Sequence, residues 1–137
     1  MALGLATCNG FGLLVWEEMM FYTFRQNNSG GHFVVEPTEG ISQFVIVEAA
    51  NEVEAIRKAE DIGLYWNGVD NGSDCECCGD RWDASPDKYP EPMIYGKPAA
   101  EYYGLFTWTK EHHVYVHYAD GTIQGLFKGN ERKGDRL

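Results

Sequence analysis

The sequence has no run approaching the roughly 18 to 20 consecutive apolar residues that a membrane-spanning helix requires. Nor does a basic stretch precede its apolar N-terminal segment, as it would in a secretory signal. A soluble chain that is not exported is therefore expected. Basic residues are few: 11 Lys and Arg stand against 21 Asp and Glu, a formal net charge of −10. Such a surface repels phosphate backbones, which argues against direct nucleic-acid binding and leaves a basic partner or none. Cysteines are scarce too, with Cys8 alone and Cys75, Cys77 and Cys78 clustered. That is not the spread-out pattern of a secreted disulfide framework, and it suits a reducing cytosol. The signatures of common enzyme classes are also missing. The sequence holds no His-Glu-x-x-His or His-x-Glu pairing, no Gly-Lys-Ser/Thr phosphate loop and no nucleophile elbow around a serine. The aspartates Asp70, Asp74, Asp80, Asp83 and Asp87 do not alternate as a calcium loop requires, because the cysteines interrupt them.

Aromatic side chains are plentiful: seven Phe, eight Tyr and four Trp in 137 residues, enough to fill one core without disulfides. The length fits one domain, expected over residues 20–127 and flanked by a leader (1–19) and a basic, frayed tail (128–137). The leader shows neither helix caps nor strand alternation. The codons for Trp16-Glu17-Glu18 are necessarily purine-rich, like a ribosome-binding site, so translation is expected to start at Met19 or Met20 and residues 1–19 to be non-native or disordered.

The expected fold is α+β: a single small, mostly antiparallel sheet, one helix packed on one face, and a long cysteine-containing loop. Phe21 to Arg25 and His32 to Val35 read as a hairpin across a Gly-rich turn. Phe44-Val45-Ile46-Val47 is continuously apolar, as in a central strand covered on both faces. Asn51 and Glu54 form a capping box for a helix over 51–62, with Gly63 as its stop. Residues 67–101, with four of the five prolines, read as one long irregular segment. Leu105 to Trp108 and a hairpin turning at Asp120-Gly121, between Val114–Tyr118 and Thr122–Phe127, complete the order.

Two segments carry chemistry. In Cys75-Glu76-Cys77-Cys78-Gly79-Asp80-Arg81-Trp82 the outer cysteines have the two-residue spacing that turns both thiolates onto one ion. There is no second Cys-x-x-Cys, so the remaining ligands are Cys77 and a histidine or carboxylate; of His112, His113 and His117 at most one can join, and His117 is taken. Three readings of these thiols stay open: structural zinc, reduced thiols packed in a turn, and a redox or disulfide role. The second segment, Arg25-Gln26-Asn27-Asn28-Ser29-Gly30-Gly31, offers amides, a hydroxyl and a guanidinium to a ligand with carbonyls or phosphates, or it is an elaborated turn. His113, Tyr115 and His117 alternate as one strand face does, a half-buried stripe more than an acid–base set.

In these two motifs and in His117-Tyr118-Ala119-Asp120-Gly121-Thr122-Ile123, the chain resembles a small uncharacterised family of bacteriophage proteins. The likeness runs from about Met20 to Phe127 and takes in Phe24 to Gly31, Phe44 to Tyr65, Cys75 to Trp82 and Pro92 to Gly96. It implies a phage setting, with the cytoplasm of the infected bacterial host as location. Since small phage proteins often block bacterial immunity, the leading expectation is a non-catalytic accessory protein that inhibits an antiviral defence. It would do so by binding a host defence protein or by sequestering a small nucleotide signal. For the latter, Arg25, Gln26, Asn27, Asn28, Ser29, Arg81 and Trp82 would hold the ligand, Trp82 stacking on a base and the arginines meeting phosphates. A zinc-dependent enzyme acting on nucleotides and a structural or regulatory phage protein are the alternatives, and homo-oligomerisation is left open.

Overall fold

The computed structural model describes residues 5–8, 14–101 and 112–126. Strands β1 (Leu5–Cys8) and β2 (Leu14–Glu17) form a separate antiparallel ladder in the leader, where the sequence suggests no regular element. The main sheet has five strands: β3 (Met20–Arg25), β4 (Phe44–Ala49), β5 (Asp87–Tyr89), β8 (Val114–His117) and β9 (Ile123–Leu126), in the order β5-β3-β4-β8-β9. A two-stranded ladder of β6 (Met93–Ile94) and β7 (Lys97–Pro98) stands beside it. Among the described residues one α-helix, α1 (Glu52–Ile62), completes an α+β architecture with a cysteine-containing loop.

The continuous apolar run of β4 does place it at the centre, with all six residues buried. Its alternate side chains serve two cores. Val45, Val47 and Ala49 join Tyr22 and Phe24 of β3 beneath Ala55 and Ala59 of α1. Phe44 and Ile46 join Phe21, Ile94, Ala99, Val114 and Val116 on the opposite face. Both faces are covered, so an alternating polar pattern is not needed. The β4–β8 pair is parallel, while β3–β4, β3–β5 and β8–β9 are antiparallel. A parallel neighbour needs a crossover connection, and α1 begins that crossover.

The helix ends follow the local code. Asn51 Oδ1 accepts the Glu54 N–H at 2.8 Å, and Glu54 Oε1 reaches back to the N–H of Ala50 at 2.8 Å. At the other end Gly63 (φ 128) donates to the carbonyls of Ala59 and Glu60, and Leu64 donates to Ala59, closing a Schellman-type stop. Glu54 and Lys58 make a half-buried i,i+4 pair, at 3.9 Å.

The first hairpin differs from expectation. His32 to Val35 is not a strand, and β3 pairs with β4 instead. The reason is Gln26, whose amide imitates a neighbouring strand: its Nε2 donates to the Val34 carbonyl at 3.0 Å and its Oε1 accepts the Val34 N–H at 2.6 Å. A side chain thus satisfies backbone groups that a ladder would otherwise take. Pro37 then opens a 3-10 turn that leads through Gly40 into β4. Within the segment expected to be irregular, β5 adds an edge strand to β3. The Asp120-Gly121 hairpin forms as expected, Asp120 accepting from both the N–H and the hydroxyl of Thr122, which holds its carboxyl below the usual range. The expected strand at Leu105 to Trp108 and the basic tail lie outside the described residues. Among the described residues no helix is long and apolar enough to cross a membrane.

Candidate functional site

The crossing between α1 and β5 is built on a tight knuckle. The N–H groups of Cys78 and Gly79 donate to the Cys75 carbonyl at 3.2 and 3.1 Å, and Gly79 takes a left-handed φ of 89 that lets the chain turn away. This turn brings the three thiols together. Cys75 Sγ lies 2.9 Å from Cys77 Sγ, which lies 3.9 Å from Cys78 Sγ, and all three sulfurs fall within 4.8 Å of one another. Thiolates around a tetrahedral zinc at ~2.3 Å stand ~3.8 Å apart, so a small movement of Cys75 and Cys77 fits the cluster to an ion. Cys77 and Cys78 are exposed and Cys75 is half-buried, so an ion has access. Hydrogen bonds from Cys77 and then Cys78 bring the Cys75 thiol down to about 7. Donation to Cys75 and Cys78 pushes Cys77 up to about 11. The cluster therefore shares its first negative charge at Cys75, and it can hold a metal ion.

His117 is not part of it. Its Nε2 lies 2.8 Å from the Gly40 carbonyl oxygen, and the group that could ligate a metal among the described residues contains the three cysteines alone. A carbonyl only accepts, so Nε2 carries the proton and donates. Strand pairing decides this: β8 runs beside β4 and sets His117 opposite Val47.

The knuckle is stitched to the polar loop some fifty residues earlier. Ser29 Oγ accepts the Cys75 N–H at 3.0 Å, and Asn27 Nδ2 donates to the Cys78 carbonyl at 2.7 Å. Arg81 binds the same two loops from inside. It is 7 % exposed, and its guanidinium donates to Gln26 Oε1 and the His32 carbonyl at 2.9 Å each and to the Ser29 carbonyl at 2.8 Å. Asp74 neutralises it, and Asp74 itself accepts from the Tyr65 hydroxyl at 2.7 Å. Gly68 is the seat for that carboxylate, since a Cβ there would collide with it.

These contacts divide the seven residues expected to hold a ligand. Gln26, Ser29, Arg81 and Trp82 are buried; Arg25, Asn27 and Asn28 are exposed. Trp82, 3 % exposed, packs in the core under α1 and has no face left for a base, and the donors of Arg81 are taken by backbone carbonyls and Gln26. The phosphate and stacking roles expected of this pair do not fit their positions. Arg25, Gln26, Asn27 and Arg81 do share one cleft of about 340 Å3, with Asp80, Asp83, Ser85 and Tyr95. Arg25 lies over the Tyr95 ring, 5.6 Å from its centroid, and 3.9 Å from Asp87. The hydrogen bond with Tyr95 raises its already high pKa. Asn28 and Ser29 do not line this cleft.

Sequence reasoning did not single out Asp74, Tyr65, Trp66 or Tyr95. The signal for Asp74 was thin, one carboxylate among many. Tyr95 shows itself only through its backbone, since it and Asn67 are the non-glycine residues at positive φ among those described, at 52 and 57.

A family model described as Domain of unknown function (DUF7296) matches residues 19–134, a span that includes the knuckle, the polar loop and both cores. No curated protein and no solved structure matches the chain.

Proposed function

The chain belongs to the Domain of unknown function (DUF7296) family, and we propose that it is a non-catalytic binding protein whose knuckle is held by zinc on Cys75, Cys77 and Cys78, with water as the fourth ligand. The observation that carries this is the stitching of the thiol cluster to the polar loop through Ser29, Asn27 and Arg81. An ion on the sulfurs would fix the shape of two loops at once. That is the task of a structural metal, which supplies folding free energy to a segment that has little core of its own. In the setting that the phage resemblance implies, the partner is a component of a bacterial antiviral defence, met in the cytoplasm of the infected host. Covering a protein surface is favoured over sequestering a nucleotide, because Arg81 and Trp82 are spent inside the fold and Asp80 and Asp83 share the cleft with Arg25. Two carboxylates in a small cleft oppose a phosphate.

Expression of the chain in a bacterium that carries a defence system tests the reading. The expected result is restored plating of a phage that the defence normally stops, with the defence component co-purifying with the chain. Unrestored plating across defences of different types would overturn it. Denaturing the purified protein should release no nucleotide, and recovery of one would replace surface binding by sequestration.

A further inference from the structure

Trp66 and Trp82 line a second cleft, of about 510 Å3, together with Asn67, Asp80, Asp83 and Ala84. Its walls are set before any ligand arrives. Trp66 stacks on Phe24 with ring centroids 5.7 Å apart, and its indole N–H donates to Glu60 Oε2 at 2.6 Å. Trp82 is locked into the core, so only a margin of its ring reaches the cleft. Asp80 Oδ1 accepts the Val69 N–H at 2.9 Å, which orients that carboxylate. Asp83 is exposed and makes no close ion pair among the described residues, although Arg25 in the neighbouring cleft feels its charge.

We propose that this cleft takes the guanidinium of an arginine side chain from a basic protein segment, its plane against the Trp66 indole and its N–H groups on Asp80 and Asp83. An indole face attracts cations, Trp more strongly than the other aromatics. Arginine suits the site better than lysine, because a planar, weakly hydrated fork can stack on a ring and bridge two carboxylates at once. The surroundings select the sign of the charge. Residues 67–87 carry six acidic side chains and one basic one, Arg81, which is buried and paired with Asp74. A nucleic acid or an anionic lipid surface would be repelled by the same field.

The inference deepens the binding-protein reading by naming the chemistry of the partner, and it rests on that reading for its biological occupant. The probe is a Gly-Ser peptide with a single arginine, compared with the same peptide carrying citrulline, which keeps the shape and loses the charge. Indole N–H resonances of the intact, isotope-labelled chain report binding. The arginine peptide should shift the Trp66 and Trp82 signals saturably, with the citrulline peptide binding about tenfold more weakly. Asp83→Asn, an exposed change that leaves the remaining spectrum in place, should weaken the arginine peptide to a similar degree. Equal binding of the two peptides, shifts confined to other residues, or no shift at millimolar peptide would each overturn the proposal. A chain that restores phage plating but ignores the arginine peptide would sink this inference and leave the binding-protein reading standing. One that binds the peptide and never restores plating would do the reverse.

Discussion

Asp74 holds Arg81 at two points: its Oδ2 accepts the Arg81 backbone N–H at 2.7 Å, and its Oδ1 lies 3.8 Å from the Arg81 Nε. The Asp74 side chain has no exposed area, and that of Arg81 is 8 % exposed. This buried pair, seven residues apart in sequence, folds the cysteine knuckle back against β3.

Arg81→Met should therefore destabilise the protein by about 3 to 5 kcal/mol, because it removes one partner and leaves the Asp74 carboxylate buried without a counter-charge. Urea denaturation measures it. A loss under about 1 kcal/mol would mean that water or a rearranged loop replaces the guanidinium.

One zinc ion per chain is expected in metal analysis of protein purified without chelator, and Cys78→Ser should lower that content sharply. Cobalt substitution should give thiolate charge-transfer absorption that is lost in the same variant, since the thiolate and not the hydroxyl is the ligand of choice for a soft ion. Protein that takes up neither ion at neutral pH would leave the thiols as reduced residues in a turn.

Gly40 and Gly121 both have left-handed backbones, at φ 71 and 94, but differ in what surrounds them. A Cβ on Gly40 would stand 2.6 Å from the His117 ring, whereas nothing lies within 4 Å of one on Gly121. Gly121→Ala should cost only the backbone strain, about 1 to 2 kcal/mol. Gly40→Ala should add an overpacking penalty of about 1 to 3 kcal/mol to that strain. Thermal unfolding of the two variants side by side checks the order, and equal losses would show that the imidazole moves aside freely.

Burial lowers the pKa of His117, against a smaller opposing pull from its hydrogen bond to Gly40. The folded state thus binds its proton less readily than the unfolded chain does. Stability from this group is complete above the unfolded value of about 6.5 and falls as the pH drops from there toward the lower folded value. His117→Gln removes the titration while keeping a side-chain N–H donor. The difference in unfolding free energy between wild type and variant should vary across that window, and a difference independent of pH would refute the assignment.

How much was legible depends on how far each signal reaches along the chain. The helix is written in Asn51, Glu54 and Gly63, residues that act within one turn, and it forms where they place it. The last hairpin is likewise contained in Asp120-Gly121, and the central strand in its unbroken apolar run. The Cys-x-x-Cys-Gly spacing foretells the gathering of three thiols because a tight turn is enough to bring it about. The partner of β3 was not legible. Val34 and Val35 have strand-forming side chains, yet Gln26 satisfies the backbone of Val34, and no propensity scale records a side chain standing in for a strand.

Local patterning, then, decided the α+β class, the helix and its limits, the two-faced central strand and the turn that collects the cysteines, since each depends on interactions between near neighbours. The fates of Arg81, Trp82 and His117 were settled only by three-dimensional packing. An arginine, an indole and an imidazole have the same appearance in a sequence whether they meet a ligand or the protein's own interior. Here the fold covers Trp82 with α1, surrounds Arg81 with the carbonyls of a loop fifty residues away, and sets His117 against Gly40. The contacts of Arg81 and His117 span 49 to 77 residues, and chain topology alone determines which groups at such distances become neighbours.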